Sequence, residues 1–520
     1  MDNFELAKDH FLKGMAYLEN QDFQNAEFHF LESLKFLPNR ISTLTNLSAA
    51  QFKLKKYFEA KTSAKKAIAL DPANSEAYLN LALIEKDLKN YITALDLLNK
   101  ALQLNPYSIE ALINKGAVLN ELRQYDEALL THKNAIALDP NSSKAWSNQG
   151  VTLNELRRYE EALAAHKKAL ELDPQSCKAW SNQGVTLNEL RRYEEALKSY
   201  KQALKINPND SEAAWNLSLI QLLLGDFKNG WVNYEQRWQI EHAEPYRHIG
   251  IHPLRNLDDL LGKKILVWSE QGFGDTIQFS RYINNLINLG ADIIFEVQAP
   301  LKSLLKNTLK TCRVIAQGEP IKDSIDFQIP LLSLPYLLGA LIETTPNYTP
   351  YLSSSSEKLA FWHERLKLDK RRLNIGIAFS GRPTHRNDAA RSMDPKYLEP
   401  LTKMGQLFVT QKDIRPIDEE FLKYHLDIIN LEQEIQSFED TAAILSNMDL
   451  IVSVDTSIAH LAGALGKPTY ALLPWNPEWR WQLEDKSSRW YPTMRLIRQP
   501  SPGDWESCIQ TTITELKENC

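Results

Sequence analysis

Cysteine is scarce in this chain and has nothing to pair with. Cys177, Cys312, Cys508 and Cys520 stand far apart, without a C-x-x-C pair or a metal-ligand spacing. That excludes a disulfide framework and a structural zinc site, and the thiols read as the reduced cysteines of a cytosolic chain. Long apolar runs are missing too. The longest, LPYLLGALI at 334–342, is far short of the roughly 20 residues that span a bilayer, so no membrane insertion is expected. The opening MDNFELAKDHFLKGMAYL carries acids and lysines where a signal peptide would be apolar. Neither a signal nor a lipidation site is expected, and the reading is cytoplasmic. There is no long basic run and the formal net charge is −6, which argues against a nucleic-acid partner.

What is present is a repeat. KAWSNQGVTLNELRRYEEAL occurs twice without change, at 144–163 and 178–197. Prolines at 38, 72, 106, 140, 174 and 208 keep the same 34-residue offset, as do alanines at 26, 60, 94, 128, 162 and 196. Glycine or another small residue stands at 14, 48, 82, 116, 150, 184 and 218. This pattern resembles the tetratricopeptide repeat, in which small residues let two antiparallel helices approach and the proline ends the second. Six full repeats and a degenerate seventh are expected over 1–240, stabilised by stacking. Asn46, Asn80, Asn114, Asn148, Asn182 and Asn216 share the period, and stacking would set them in one row on the first helices. Such an amide row could hold the backbone of an extended protein or peptide partner, or merely hydrogen-bond between repeats.

Beyond a connector at 241–262 the pattern changes to strand–helix alternation. Strands are expected at 265–268, 292–297 and 327–332, then at 373–379, 407–410, 427–430, 450–454 and 468–473. Parallel sheets with helices on both faces follow from such alternation. A Pro-, Thr- and Ser-rich stretch at 344–358 reads as a linker between two Rossmann-like lobes, 263–343 and 359–520. A cleft is expected at the carboxyl ends of the strands.

Three motifs fall at those ends. EQGFGDTIQF (270–279) has Gly272 and Gly274 but Ile277 in place of a third glycine, and no G-K-[ST], so it is neither a dinucleotide fingerprint nor a P-loop. Asp275 is either the N-cap of the helix TIQFSRYINNLI or a carboxylate able to accept a proton at the cleft edge. GIAFSGRPTHRNDAARSM (376–393) sets Ser380, Arg382, His385, Arg386 and Arg391 after a strand, a suitable set for a diphosphate or else a solvated basic loop, the former favoured by its place after a buried strand. LIVSVDTSIAHLAGALGKP (450–468) ends a strand at Asp455 and opens a helix with Thr456 and Ser457, where free N–H groups favour anions. His460 lies one turn further, as a phosphate contact or as a brace of the turn. Trp475, Trp479, Trp481, Trp490 and Tyr491 read more readily as core than as a stacking platform.

Together with WNPEWRW and WYPTMRLIRQPSPGDW, these motifs resemble the tetratricopeptide-repeat proteins that carry a heptosyltransferase-like glycosyltransferase domain. More loosely they resemble the protein O-linked N-acetylglucosamine transferases. The resemblance implies an α-solenoid followed by an α/β unit of the GT-B fold, with the acceptor on the first lobe and a nucleotide-diphosphate sugar on the second. It implies Asp275 as general base. Gly272, Gly274, Ser380, Arg382, Arg386, Arg391, Asp455, Thr456, Ser457 and His460 would surround the donor diphosphate. The family's phosphate-binding lysine is replaced here by one of the arginines. No D-x-D pair occurs in the second half, so an inverting, metal-independent transfer without a separate cofactor is expected. The rivals are a scaffold with a degenerate transferase domain and a transferase acting on surface glycolipid or polysaccharide.

Overall fold

The computed structural model describes residues 2–240, 245–258, 260–384 and 387–519. The chain divides into two compact units, Met1–Pro208 and Asn209–Cys520.

The first unit is a solenoid of six helix pairs, from Asn3–Glu19 with Phe23–Phe36 to Cys177–Glu189 with Tyr193–Ile206. First helices of successive pairs pack on one another and so line one face. Their starts are set by side chains: Asn74, Ser108, Ser142 and Ser176 each accept from the N–H three residues on, satisfying a donor that the helix cannot. Within each pair the chain reverses through a left-handed residue, Gln21, Lys55, Lys89, Arg123, Arg157 and Arg191, all with φ between 57° and 63°.

Complementary volumes hold four of the six pairs together. A Cβ on Gly116 would lie 2.3 Å from the His132 ring, and one on Gly150 would lie 2.4 Å from His166. Gly14 faces Phe30 and Gly184 faces Tyr200 in the same way. The glycine is therefore the space into which a ring on the second helix packs. His132 and His166 are buried with neither ring nitrogen hydrogen-bonded, and burial pushes each pKa down to about 4.

The second unit opens with the helices Ser211–Leu223 and Phe227–Tyr234, the seventh pair. Its tight turn uses Gly225 at φ 86°. Two all-parallel sheets follow. The first contains β1 (Lys264–Trp268), β2 (Asp292–Val297), β3 (Arg313–Ala316) and β4 (Phe327–Pro330), in the order β3-β2-β1-β4. The second contains β5 (Leu373–Ala378), β6 (Gly405–Val409), β7 (Ile428–Asn430), β8 (Leu450–Val454), β9 (Thr469–Leu473) and β10 (Met494–Arg498), in the order β10-β9-β8-β5-β6-β7. This is the two-lobed arrangement of the GT-B fold. Strand order reverses between β1 and β4 and between β5 and β8, which opens a crevice at each carboxyl end. The three motifs follow β1, β5 and β8.

Strands β3 (RVIA) and β10 (MRLIR) are additions to the sequence reading, which placed no strand at either stretch. The helix expected over TIQFSRYINNLI is broken into Phe273–Phe279, a 3₁₀ turn Ser280–Tyr282 and Ile283–Asn288. The cause is Arg281, almost wholly buried, which donates to the carbonyls of Gln278 and Trp490, both at 2.8 Å, and to the Tyr351 hydroxyl. The stretch expected as a linker is packed: Leu352 is buried, Tyr351 N–H donates to the Ala464 carbonyl at 2.9 Å, and a helix starts at Ser356. No helix among the described residues is long and apolar enough to cross a membrane.

Candidate functional site

The first motif is anchored before it reaches the cleft. Glu270 is buried beyond β1 and is gripped by Arg237 through two bonds, Nε to Oε2 at 2.9 Å and Nη2 to Oε1 at 2.8 Å. It also accepts from the Leu332 N–H at 3.1 Å. Gly272, not Asp275, is the N-cap of helix Phe273–Phe279. Asp275 occupies the third helical position and its Oδ2 accepts from the Gly272 N–H at 2.9 Å. A glycine cap has no side chain, so the carboxylate reaches back to satisfy the orphan donor.

The second lobe meets this loop directly. A Cβ on Gly274 would lie 2.8 Å from Cδ2 of His460, so glycine is required for the approach of the two helices. His460 shares a hydrogen between Nδ1 and the Tyr491 hydroxyl at 2.9 Å, and its ring stacks on Trp481 with centroids 5.1 Å apart. Burial, with Arg480, Arg281 and Arg391 nearby, pushes its pKa well below the usual value. His460 is therefore a neutral, fixed ring.

Around it lie the other expected residues. Thr456 caps helix Ser457–Ala464, its hydroxyl accepting from the Ile458 N–H at 3.3 Å, and Ser457 is the first helical residue. Asp455 is buried, and burial together with Glu478 raises its pKa to about 7. The Arg391 guanidinium fills the space above Gly381, where a Cβ would sit 2.8 Å from Nη2. It donates from Nη1 to the Asp455 carbonyl at 3.4 Å, while its buried Nε finds no acceptor among the described residues. Arg382 is exposed, its guanidinium carbon 5.7 Å from the centre of the Phe273 ring. Ser380 is held by Gln411, which donates to its hydroxyl oxygen at 2.7 Å. His385 and Arg386 lie outside the described residues.

Sequence reasoning passed over Arg480. Its Nη2 donates to Oδ1 of Asp275, its Nε to Gln278 Oε1 at 2.8 Å and its Nη1 to Glu478 Oε2 at 2.6 Å. The available signal was an arginine between two tryptophans in PEWRW, since a cation in such surroundings needs a buried partner. Burial raises the Asp275 pKa, and Arg480 opposes that rise. Trp479, Trp481, Trp490 and Tyr491 are core, as the density of aromatics implied, whereas Trp475 is half-buried.

The asparagines divide. Asn46, Asn80, Asn114, Asn148 and Asn182 belong to the first unit and Asn216 to the second. Asn80 donates to the Thr45 carbonyl at 2.9 Å and Asn182 to the Ser147 hydroxyl at 3.3 Å, both in the preceding repeat. Asn46 and Asn114 donate to their own helices, at 2.9 and 2.8 Å. Asn148 and Asn216 are half-buried. A second row went unremarked in the sequence: Asn120 and Asn154 donate to Thr152 and Thr186 of the next repeat at 3.0 and 2.8 Å. Among the described residues no group of three or more His, Cys, Asp or Glu could hold a metal ion.

Comparison with known proteins matches this division. Residues 143–176, 177–210, 41–74 and 63–96 match tetratricopeptide repeat models. Residues 425–487 match glycosyltransferase family 9 (heptosyltransferase). The chain thus carries tetratricopeptide repeats and a stretch that matches the family 9 glycosyltransferase model, and that stretch contains Asp455, Thr456, Ser457, His460 and Arg480. A curated relative, protein FlbA of Caulobacter vibrioides, is 23% identical over 330 residues, which is 58% of this chain and 54% of that protein. The chain therefore spans about half the length of that relative. Among solved structures, YrrB, described as a TPR protein with an unusual peptide-binding site, is 25% identical, covering 35% of this chain and 95% of its own with a TM-score of 0.29. MamA is 27% identical, covering 32% and 96%, with a TM-score of 0.28.

Proposed function

We propose that the protein is a glycosyltransferase that moves a sugar from a nucleotide-diphosphate donor to an acceptor, most simply a polypeptide docked by the repeats. One observation carries this reading: Gly274 beside Asp275 touches His460 of the family 9 segment, so a potential base and an anion-friendly helix start share one cleft. The donor diphosphate lies at the amino end of helix Ser457–Ala464, beside Thr456 and against Arg382 and Arg391. Those donors stabilise the charge that grows on the leaving diphosphate. The orphan Nε of Arg391 supports this placement. Asp275 takes the proton of the acceptor hydroxyl or amide as its oxygen or nitrogen attacks the anomeric carbon. The bond from that carbon to the diphosphate oxygen breaks with inversion, and the nucleoside diphosphate departs. No metal ion and no cofactor besides the donor is invoked, and the setting is the cytoplasm.

The ion pair between Asp275 and Arg480 favours a second reading, a scaffold whose transferase-like domain binds a nucleotide without turning it over. Slow hydrolysis of the donor separates the two. The transferase hydrolyses a bound nucleotide sugar at a low rate and loses that rate in Asp275→Asn, whereas the scaffold shows none in either form. A Asp275→Asn variant with undiminished turnover refutes the base assignment.

A further inference from the structure

Pairing with the Arg480 guanidinium makes Asp275 a weaker base than its burial alone would. Protonating Asp275 would leave the buried Arg480 charge with the partly exposed Glu478 as its remaining ion-pair partner among the described residues. Burial makes that loss expensive, because an uncompensated charge cannot be solvated there. A base role for Asp275 therefore needs another anion beside Arg480 when the proton arrives.

The surroundings indicate where that anion would sit. Arg480 lies on the turn after β9, with its guanidinium 4.5 Å from the Trp479 ring. The next residue, Trp481, stacks on His460 of helix Ser457–Ala464 with centroids 5.1 Å apart, which sets Arg480 close to that helix as well as to Asp275. An anion at the start of that helix would lie on the same side of the second lobe as Arg480 and His460. Arg391 reaches the same stretch, donating to the Asp455 carbonyl at 3.4 Å.

We infer that Arg480 is shared between the base and the donor, pairing with Asp275 in the free protein and turning to the diphosphate when a nucleotide sugar binds. The inference rests on the transferase reading above and adds a donor-binding residue to it. Arg480 keeps its charge throughout, and only its partner changes. Asp275 then gains basicity when the donor is in place, so donor binding precedes acceptor activation. Gln278 holds Nε in both states and acts as the pivot.

The test is calorimetric titration of the full chain with the glucose conjugates of UDP, GDP, ADP, CDP and dTDP. If Asp275 and the diphosphate compete for Arg480, removing the carboxylate charge must strengthen binding. Asp275→Asn is expected to bind about fivefold more tightly than the wild type, the lower end of a typical coupling between sites. Arg480→Lys, which keeps the charge but loses the fork, is expected to bind about tenfold more weakly. Glu478→Gln relieves the other competing carboxylate and should also tighten binding, which decides the matter if Asp275→Asn does not fold. A purely structural ion pair predicts the opposite sign for Asp275→Asn. Wild-type binding with equal or weaker binding by folded Asp275→Asn overturns the sharing and leaves the transferase reading intact. Absence of binding by the wild type with all five conjugates overturns both.

Discussion

Gly274 and His460 approach so closely that a single methyl group on the glycine would lie 2.8 Å from the imidazole Cδ2. The ring has no room to yield, because Tyr491 holds Nδ1 and Trp481 covers its face. Gly274→Ala should therefore destabilise the second unit by about 1–3 kcal/mol, the usual range for an overpacked contact. Thermal melting of the variant checks this, and an unchanged midpoint would show that the lobes can separate at no cost.

Arg237 and Glu270 are both buried and joined by two hydrogen bonds. Arg237→Ala leaves the Glu270 charge buried with, among the described residues, the Leu332 N–H as its one remaining donor, and about 3–5 kcal/mol of stability should be lost. Removing both charges in Arg237→Met/Glu270→Gln should restore a large part of that loss. A urea-unfolding double-mutant cycle measures the difference, and strict additivity would contradict the pairing.

His132 and His166 predict an acid sensitivity of the repeats. Burial holds each folded pKa near 4, against about 6.5 in the unfolded chain. Between these values the unfolded state binds more protons, so stability is complete above about pH 6.5 and falls as pH drops towards 4. The loss at pH 5 relative to pH 8 is about 2 kcal/mol per histidine. His132→Phe/His166→Phe places rings like Phe30 against Gly116 and Gly150 and should flatten the profile, read from urea unfolding of the helical signal at the two pH values.

Arg391 has a buried Nε without an acceptor among the described residues. If that donor serves the diphosphate, Arg391→Ala should weaken nucleotide-sugar binding by about 1.5–3 kcal/mol, which is tenfold or more. The melting temperature of the ligand-free protein should fall only modestly, through the lost packing on Gly381. Unaltered affinity would transfer the phosphate role to Arg382 or Arg386.

The repeat array was legible residue by residue because its determinants are local. Proline positions, Gly or Ala at helix contacts and capping Asn or Ser each act within one turn or one helix pair, and 34-residue spacing repeats them. The interior strands were legible for the same reason, as apolar runs buried on both faces. RVIA and MRLIR escaped notice, since arginine opens the first and interrupts the second, which leaves each with too short an apolar run. The three motif loops could be placed at strand ends from sequence because a loop must follow its strand. Their meeting could not, since Asp275 and Arg480 are 205 residues apart and nothing in either motif encodes the other.

The sequence by itself determined the helix pairs, the parallel strands and the chemical character of the loops, all set by short-range periodicity. Only the tertiary structure decided that Asp275 serves Gly272 and pairs with Arg480, that His460 is a neutral ring wedged over Gly274, and that Asn80 and Asn182 tie repeats together. Each depends on burial and on which charges share a low-dielectric space, quantities created by packing and absent from any local stretch of chain.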